Sequence, residues 1–195
     1  MKFTDRPRVS AFLDKWLHSH GNEQANGQSF FNDLCVALGV DCPPPKGSVK
    51  GDPYCFEKDI KIPQTNGKVA SGRIDFYKAD HFIIEAKQGS AQAGKGTAQR
   101  GGKKYKAAME KAFHQANAYA RNVPNKPPYL LVCDIGDHFE LWTLNQNGNY
   151  GEYDHRREIP LGALREEEYF DLFVDIFTNP PAPKGQVQPP PPVRQ

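Results

Sequence analysis

The sequence predicts an α/β fold in which a mixed β-sheet is flanked by helices. Apolar residues recur at helical spacing in four segments, which indicates four amphipathic helices. Five short segments rich in aromatic and β-branched side chains indicate strands. The expected order is two helices, three strands, one helix, two strands and a last helix. This mixture of elements in one chain is typical of an α/β domain.

One domain is expected over residues 1–179, because a chain of 195 residues can bury a core of ordinary size. Residues 180–195 include seven prolines and are predicted to form a linker or a disordered tail. Charged residues make up 25% of the chain, and the mean hydropathy is −0.70. No apolar run has membrane-spanning length, and the N-terminal segment lacks a signal peptide's apolar core. We therefore expect a cytoplasmic protein with no membrane partner.

Two amphipathic helices are predicted near the N-terminus. The first covers residues 8–19, and the second runs from about residue 22 to residue 38, with Gly39 as its stop. The apolar stripe of the second helix, extended backwards, places Glu23 toward the buried side. A buried carboxylate needs a partner. Glu23 either complements the helix dipole behind an Asn22 cap or adds an acid near a metal ion.

The middle of the chain predicts three strands. Residues 54–60 form the first, and a tight turn at Asn66 and Gly67 leads into the second. Residues 74–77 and 82–85 are joined by a short polar segment and are predicted to form a hairpin. The acids of the first strand, Glu57 and Asp59, are either exposed strand residues or extra metal ligands.

The predicted hairpin brings three charged residues together. A turn centred near Asp80 sets Asp75 opposite Glu85, with their Cβ atoms roughly 4.5–5.5 Å apart. Lys87 shares this face because strand side chains alternate. Two facing carboxylates repel each other, and a divalent cation such as Mg²⁺ would stabilise the pair. The alternative is a salt-bridge triad in which Lys87 neutralises both acids.

The same residues resemble a known family. Asp75, followed after nine residues by Glu85-Ala86-Lys87, resembles the PD-(D/E)xK signature of restriction-endonuclease-like nucleases. The flanking sequence, GRID at 72–75 and IEAKQG at 84–89, is similar to the N-terminal nuclease region of single-chain type II restriction–modification enzymes. In these enzymes a nuclease, an adenine methyltransferase and a target-recognition domain share one polypeptide. The resemblance runs from about residue 12 to residue 179, although no proline precedes Asp75.

The resemblance implies an endonuclease that hydrolyses the phosphodiester bonds of double-stranded DNA. Asp75, Glu85 and the Ala86 carbonyl would hold Mg²⁺, for which Mn²⁺ would substitute, and Lys87 would activate a water molecule. Methyltransferase and target-recognition domains are expected as partners in the same chain or a companion chain. The alternatives are a non-catalytic DNA-binding or scaffolding module and a RecB-like repair nuclease.

A basic, glycine-rich segment follows the third strand. Residues 87–113 contain seven basic residues and one acid, and residues 88–104 contain five glycines and no large apolar side chain. This composition predicts a mobile surface loop that either contacts DNA phosphates or is simply solvated.

In the next predicted helix, residues 104–121, Gln115 and Tyr119 lie side by side. They resemble the Gln-x-x-x-Tyr motif that borders the active site of RecB-like nucleases, or form an ordinary surface pair.

Residues 129–133 are fully apolar and predict a buried strand, and residues 139–144 predict a more exposed one. Asp134 lies between them, where turn chemistry is the expected role. Residues 166–177 form the last predicted helix.

Overall fold

The computed structural model describes residues 1–19, 23–90 and 98–180, without the side chains of Glu23 and Gln24. The predicted tail therefore lies outside the described residues, except for Pro180. The helices are α1 (Asp5–Trp16), α2 (Glu23–Leu38), α3 (Lys103–Ala120) and α4 (Glu167–Thr178), with two short 3₁₀ turns at Tyr153–His155 and Leu161–Arg165. The strands are β1 (Tyr54–Pro63), β2 (Val69–Lys78), β3 (Phe82–Lys87), β4 (Tyr129–Asp134), β5 (His138–Thr143) and β6 (Arg157–Pro160).

The six strands form one sheet in sequential order from β1 to β6. Among the five pairs of described strands, β3 with β4 is parallel and the others are antiparallel, and α3 lies in the crossover between β3 and β4. The predicted mixed sheet with flanking helices is confirmed, and the arrangement is that of a restriction-endonuclease-like core. Strand β6 was not predicted, because Ile159 is its one buried residue and no apolar alternation marks it. Its strand geometry comes from pairing with β5.

Two apolar layers cover the two faces of the sheet. Helices α1, α2 and α4 pack on one face, where Phe30, Phe76 and Phe139 are fully buried. Helix α3 packs on the other face and places Phe113 against Trp142, with ring centroids 4.5 Å apart. None of the helices that the structure describes combines the length and apolarity needed to cross a membrane.

Strand β3 shows how this layering positions charged residues. Phe82 and Ile84 belong to the layer of α1, α2 and α4, whereas Ile83 belongs to the layer of α3. Because strand side chains alternate, Glu85 and Lys87 point to the same face as Ile83. The Glu-x-Lys segment therefore lies on the α3 side of the sheet.

Candidate metal centre

The hairpin register is the one that the turn predicted. The ladder between β2 and β3 pairs Lys78 with Phe82 and ends at the pair of Phe76 with Ile84. One further step sets Asp75 opposite Glu85. At that step the Asp75 carboxylate accepts a hydrogen bond of 2.7 Å from the backbone N–H of Ala86. The side chain of Asp75 therefore takes the place of a backbone acceptor and is fixed against β3.

The backbone around Asp75 is irregular. Ile74 is buried in the α3 layer and Phe76 in the opposite layer, so the alternation of strand side chains breaks between them. On β1, Phe56 pairs with Phe76 and Lys58 pairs with Ile74. Glu57 lies between these two pairs and has a positive φ of 54°. A non-glycine residue in this region is uncommon and is strained by about 1–2 kcal/mol. Residues held in sparsely populated backbone regions cluster at active sites and ligand clamps.

Glu85 is the most informative side chain of the site. It is 2% exposed, and its Oε1 atom has no hydrogen-bond partner among the described residues. Burial raises the pKa of Glu85 well above its ordinary value, and the neighbouring charge of Asp75 raises it further, whereas Lys87 acts in the opposite direction. A buried carboxylate with an unpartnered oxygen beside a second carboxylate fits a bound divalent cation.

Three oxygen donors can face such a cation. The carboxylates of Asp75 and Glu85 supply two of them. In a strand, the N–H and C=O of one residue point to the same side. The Ala86 carbonyl therefore faces β2, as its N–H does when it donates to Asp75. Lys87 follows on the same face as Glu85, and its carbonyl accepts a 2.7 Å hydrogen bond from the Ile135 N–H.

Gln115 and Tyr119 lie beside the strand that carries Asp75. The Gln115 Nε2 donates to the Tyr119 hydroxyl at 2.7 Å, and Tyr119 is 5% exposed. The Tyr119 ring packs against Gly72, where an added Cβ would lie 2.6 Å from Cε1. Glycine at this position lets α3 approach β2 three residues before Asp75.

Glu23 begins α2, but its side chain lies outside the described residues, so its role stays a prediction. One contact places the first turn of α2 near the site. The Asn26 side-chain amide donates to Gln88 Oε1 at 3.0 Å, and Gln88 directly follows Lys87.

The two acids of β1 are exposed strand residues in ion pairs. Glu57 lies 3.3 Å from Arg73, and Asp59 lies 2.7 Å from Lys46. Their side chains are 39% and 72% exposed, respectively. Each acid already faces a cation, so we do not assign them to the metal centre.

Arg100 does not behave as the predicted mobile basic loop over residues 88–104 requires, and residues 91–97 of that loop lie outside the described residues. It binds the carboxylate of Asp134 with Nε and Nη2, at 2.7 and 2.9 Å, and Asp134 is 1% exposed. Asp134 also accepts hydrogen bonds from Gly89 N–H at 3.0 Å and the Tyr105 hydroxyl at 2.5 Å. Arg100 is thus a half-buried structural partner of a buried carboxylate, whereas Lys95 lies outside the described residues. Asp134 joins the end of β3 to the start of α3, a role that exceeds the predicted turn chemistry.

Asp134, Asp137 and His138 form a second group whose ligand atoms lie within 4.8 Å of one another. Asp134 is already bound to Arg100 and Tyr105. Burial lowers the pKa of His138, but hydrogen bonds to Asp137 and Glu140 outweigh it and raise that pKa to about 9. A protonated imidazole cannot bind a metal ion. Asp134 and Asp137 are therefore each engaged with a cationic partner among the described residues.

The raised pKa of His138 predicts a pH-dependent loss of stability. Its stabilising contribution should be complete below pH 6.5, the ordinary pKa, and lost as the pH rises through about 9. The full effect is at most about 3 kcal/mol. Urea unfolding of the metal-free chain at pH 6, 7.5 and 9.5 measures it. His138→Gln should flatten this profile, whereas His114→Gln, an exposed control, should leave it unchanged. Equal profiles for the parent and His138→Gln would contradict the prediction.

A six-stranded mixed sheet with helices on both faces and two carboxylates on adjacent strands define a restriction-endonuclease-like domain. The chain belongs to the family described as the N-terminal domain of MmeI, a type II restriction–modification enzyme, which it matches over residues 7–180. A comparison with curated proteins and one with solved structures each gave no match. The family assignment indicates that the chain is a restriction–modification enzyme module.

Proposed function

We propose that this chain is a Mg²⁺-dependent endonuclease that hydrolyses phosphodiester bonds of double-stranded DNA, with Mn²⁺ able to replace Mg²⁺. The observation that carries the proposal is the buried Glu85 carboxylate, whose unpartnered oxygen lies beside Asp75 and on the face of Lys87. Keeping the buried Glu85 carboxylate charged beside Asp75 is costly unless a cation binds there. The family membership supports the same function.

In the proposed mechanism, Asp75, Glu85 and the Ala86 carbonyl would hold the metal ion. The bound ion would stabilise negative charge on the scissile phosphate and lower the pKa of a water molecule. Asp75 is held in place by the Ala86 N–H, and Glu85 by burial in the strand. Lys87 orients the attacking water or accepts its proton.

The wider site would assist positioning. Gln115, which is exposed at the flank of α3, would help to position the DNA, and its hydrogen bond to Tyr119 restricts its rotamer. We place Glu23 near the metal centre as an additional acid, because α2 begins beside Gln88. Methyltransferase and target-recognition domains, in the same or a companion chain, would supply modification and sequence selection.

The test is nicking of supercoiled plasmid by the purified chain in Mg²⁺, Mn²⁺ or EDTA. We expect nicking only when metal is present. The nicking rate of Lys87→Ala should be at least about 100-fold lower than that of the parent. Lys2→Ala, an exposed lysine far from the hairpin in sequence, is the matched control and should cleave like the parent. Equal rates for the parent and Lys87→Ala would contradict the proposal. A parent that stays inactive with a companion recognition domain would favour a non-catalytic DNA-binding or scaffolding module.

A RecB-like repair nuclease is the second candidate, because the hydrogen-bonded Gln115–Tyr119 pair lies beside β2. The dependence of cleavage on the DNA sequence distinguishes a restriction module from a repair nuclease. A restriction module should cut at a fixed position when it is supplied with a recognition domain, whereas a repair nuclease should cut without regard to sequence.

A further inference from the structure

The hairpin of β1 and β2 extends beyond the rest of the sheet. These strands pair as far as Pro63 with Val69, whereas the ladder of β2 with β3 stops at Phe76. We call residues 58–74 the ribbon. From Asp75 to Val69 the chain advances six residues, which is about 20 Å at the rise of a β-strand. The ribbon therefore starts at the metal centre and ends about one DNA diameter away from it.

The base of the ribbon is held by α3. Ile60 is 5% exposed, and both Ile60 and Ile62 pack into the apolar layer of α3. Tyr119 packs against Gly72 on the same face. The direction of the ribbon relative to the metal centre is therefore fixed by packing.

The tip of the ribbon is exposed but ordered by its own hydrogen bonds. The Gln64 N–H donates to the Lys68 carbonyl at 2.8 Å, and the Lys68 N–H donates to Asn66 Oδ1 at 2.9 Å. Gly67 adopts a φ of 77°, as this turn requires. Val69, at the end of the turn, is 60% exposed.

The ribbon carries more cations than acids. Residues 58–74 contain four cations and one acid, Asp59, together with amide and hydroxyl groups at the tip. Arg73 forms ion pairs with Glu57 and Asp59, whereas Lys61 and Lys68 are exposed toward the tip. Lysine and arginine bind backbone phosphates, and Asn, Gln and Thr side chains contact phosphates and base edges.

Resting on the proposed function, we propose that the ribbon is a DNA-docking element that enters the major groove beside the cleaved phosphate. The major groove, about 12 Å wide, admits a two-stranded β-ribbon, whereas the minor groove of undistorted DNA is only about 6 Å wide. Lys61 and Lys68 contact phosphates that flank the groove. The reach of about 20 Å corresponds to roughly six base pairs from the cut position.

The experiment measures binding separately from cleavage. Fluorescence anisotropy of a labelled 30-base-pair duplex, in EDTA and from 20 to 200 mM salt, compares the parent chain with Lys61→Ala/Lys68→Ala. Each lost phosphate contact should reduce the magnitude of the slope of log K against log salt by about 0.9. The slope of the double variant should therefore be smaller in magnitude than that of the parent by about 2. We expect its affinity at 50 mM salt to fall about tenfold or more. Lys50→Ala/Arg165→Ala removes the same charge from exposed positions outside the ribbon and should bind like the parent.

A second duplex, carrying bulky substituents at C5 of its cytosines, blocks the major groove. The parent should bind it about as weakly as the ribbon variant binds the plain duplex, and the ribbon variant should not distinguish the two duplexes. Equal slopes for the ribbon and control variants, or a parent that does not bind either duplex, would overturn the ribbon proposal. Plasmid nicking by the same preparations in Mg²⁺ decides the proposed function independently. Thermal melting checks that all variants fold.

Discussion

Glu85→Gln is expected to abolish metal-dependent cleavage and metal-dependent stabilisation, while making the metal-free domain more stable. Glu85 is 2% exposed and faces the charge of Asp75. An amide at this position removes the repulsion and can donate a hydrogen bond to Asp75. The metal-free chain should gain about 1–3 kcal/mol, which is the range for relieving an unpaired buried polar group. Cleavage should fall at least about 1,000-fold, since the ion contributes several kcal/mol to the transition state.

The pH dependence of the free energy of unfolding provides a second test of the role of Glu85. Burial and Asp75 raise the pKa of Glu85 above the ordinary value of 4.5, so the unfolded chain releases this proton at lower pH than the folded chain. Metal-free stability should therefore fall as the pH rises from about 4.5 toward the raised pKa. Glu85→Gln should lack this fall. Metal binding to the parent should release a proton and weaken at acidic pH.

Thermal melting in Mg²⁺ and in EDTA measures both effects. At an ion concentration 100 times the Kd, the parent should gain about 2.7 kcal/mol, which is roughly 5–10 °C in Tm for a chain of this size. Glu85→Gln should show no such shift. Glu57→Gln, which changes an ion-paired acid on the neighbouring strand, should keep it. A full metal shift in Glu85→Gln would place the ion elsewhere, and Asp137→Asn would then test the second acidic group.

The sequence predicted the parts of the site that are close together in the chain. Asp75 and Glu85 are ten residues apart, and a short turn fixes their register, so strand periodicity was sufficient. Asp134 was assigned to a turn because its partner Arg100 is 34 residues away and lies in a segment that looked like a loop. That pairing depends on the parallel ladder of β3 with β4, which local patterns do not encode. Gly72 was noted only as part of a motif, and its packing against Tyr119 required the path of α3.

Arg100→Ala is expected to destabilise the domain by about 3–5 kcal/mol, because it leaves the Asp134 carboxylate buried without its cation. The side chain of Asp134 has no exposed area, and the side chain of Arg100 is 16% exposed. Gly89 and Tyr105 still donate to this carboxylate, which favours the lower end of the range. Urea unfolding measures the loss. Lys103→Ala, an exposed neighbour on α3, should stay within about 0.5 kcal/mol of the parent.

The double variant Arg100→Ala/Asp134→Asn separates a lost charge pair from lost packing. It leaves no charge buried, so it should recover part of the stability that Arg100→Ala loses. The Lys87 carbonyl is bound to Ile135, the residue after Asp134, so the loss of this pair should also loosen the strand end that carries Lys87. We therefore expect nicking by Arg100→Ala to decline at temperatures well below its melting point. If Arg100→Ala were as stable as Lys103→Ala, Arg100 would be the surface loop residue that composition alone predicted.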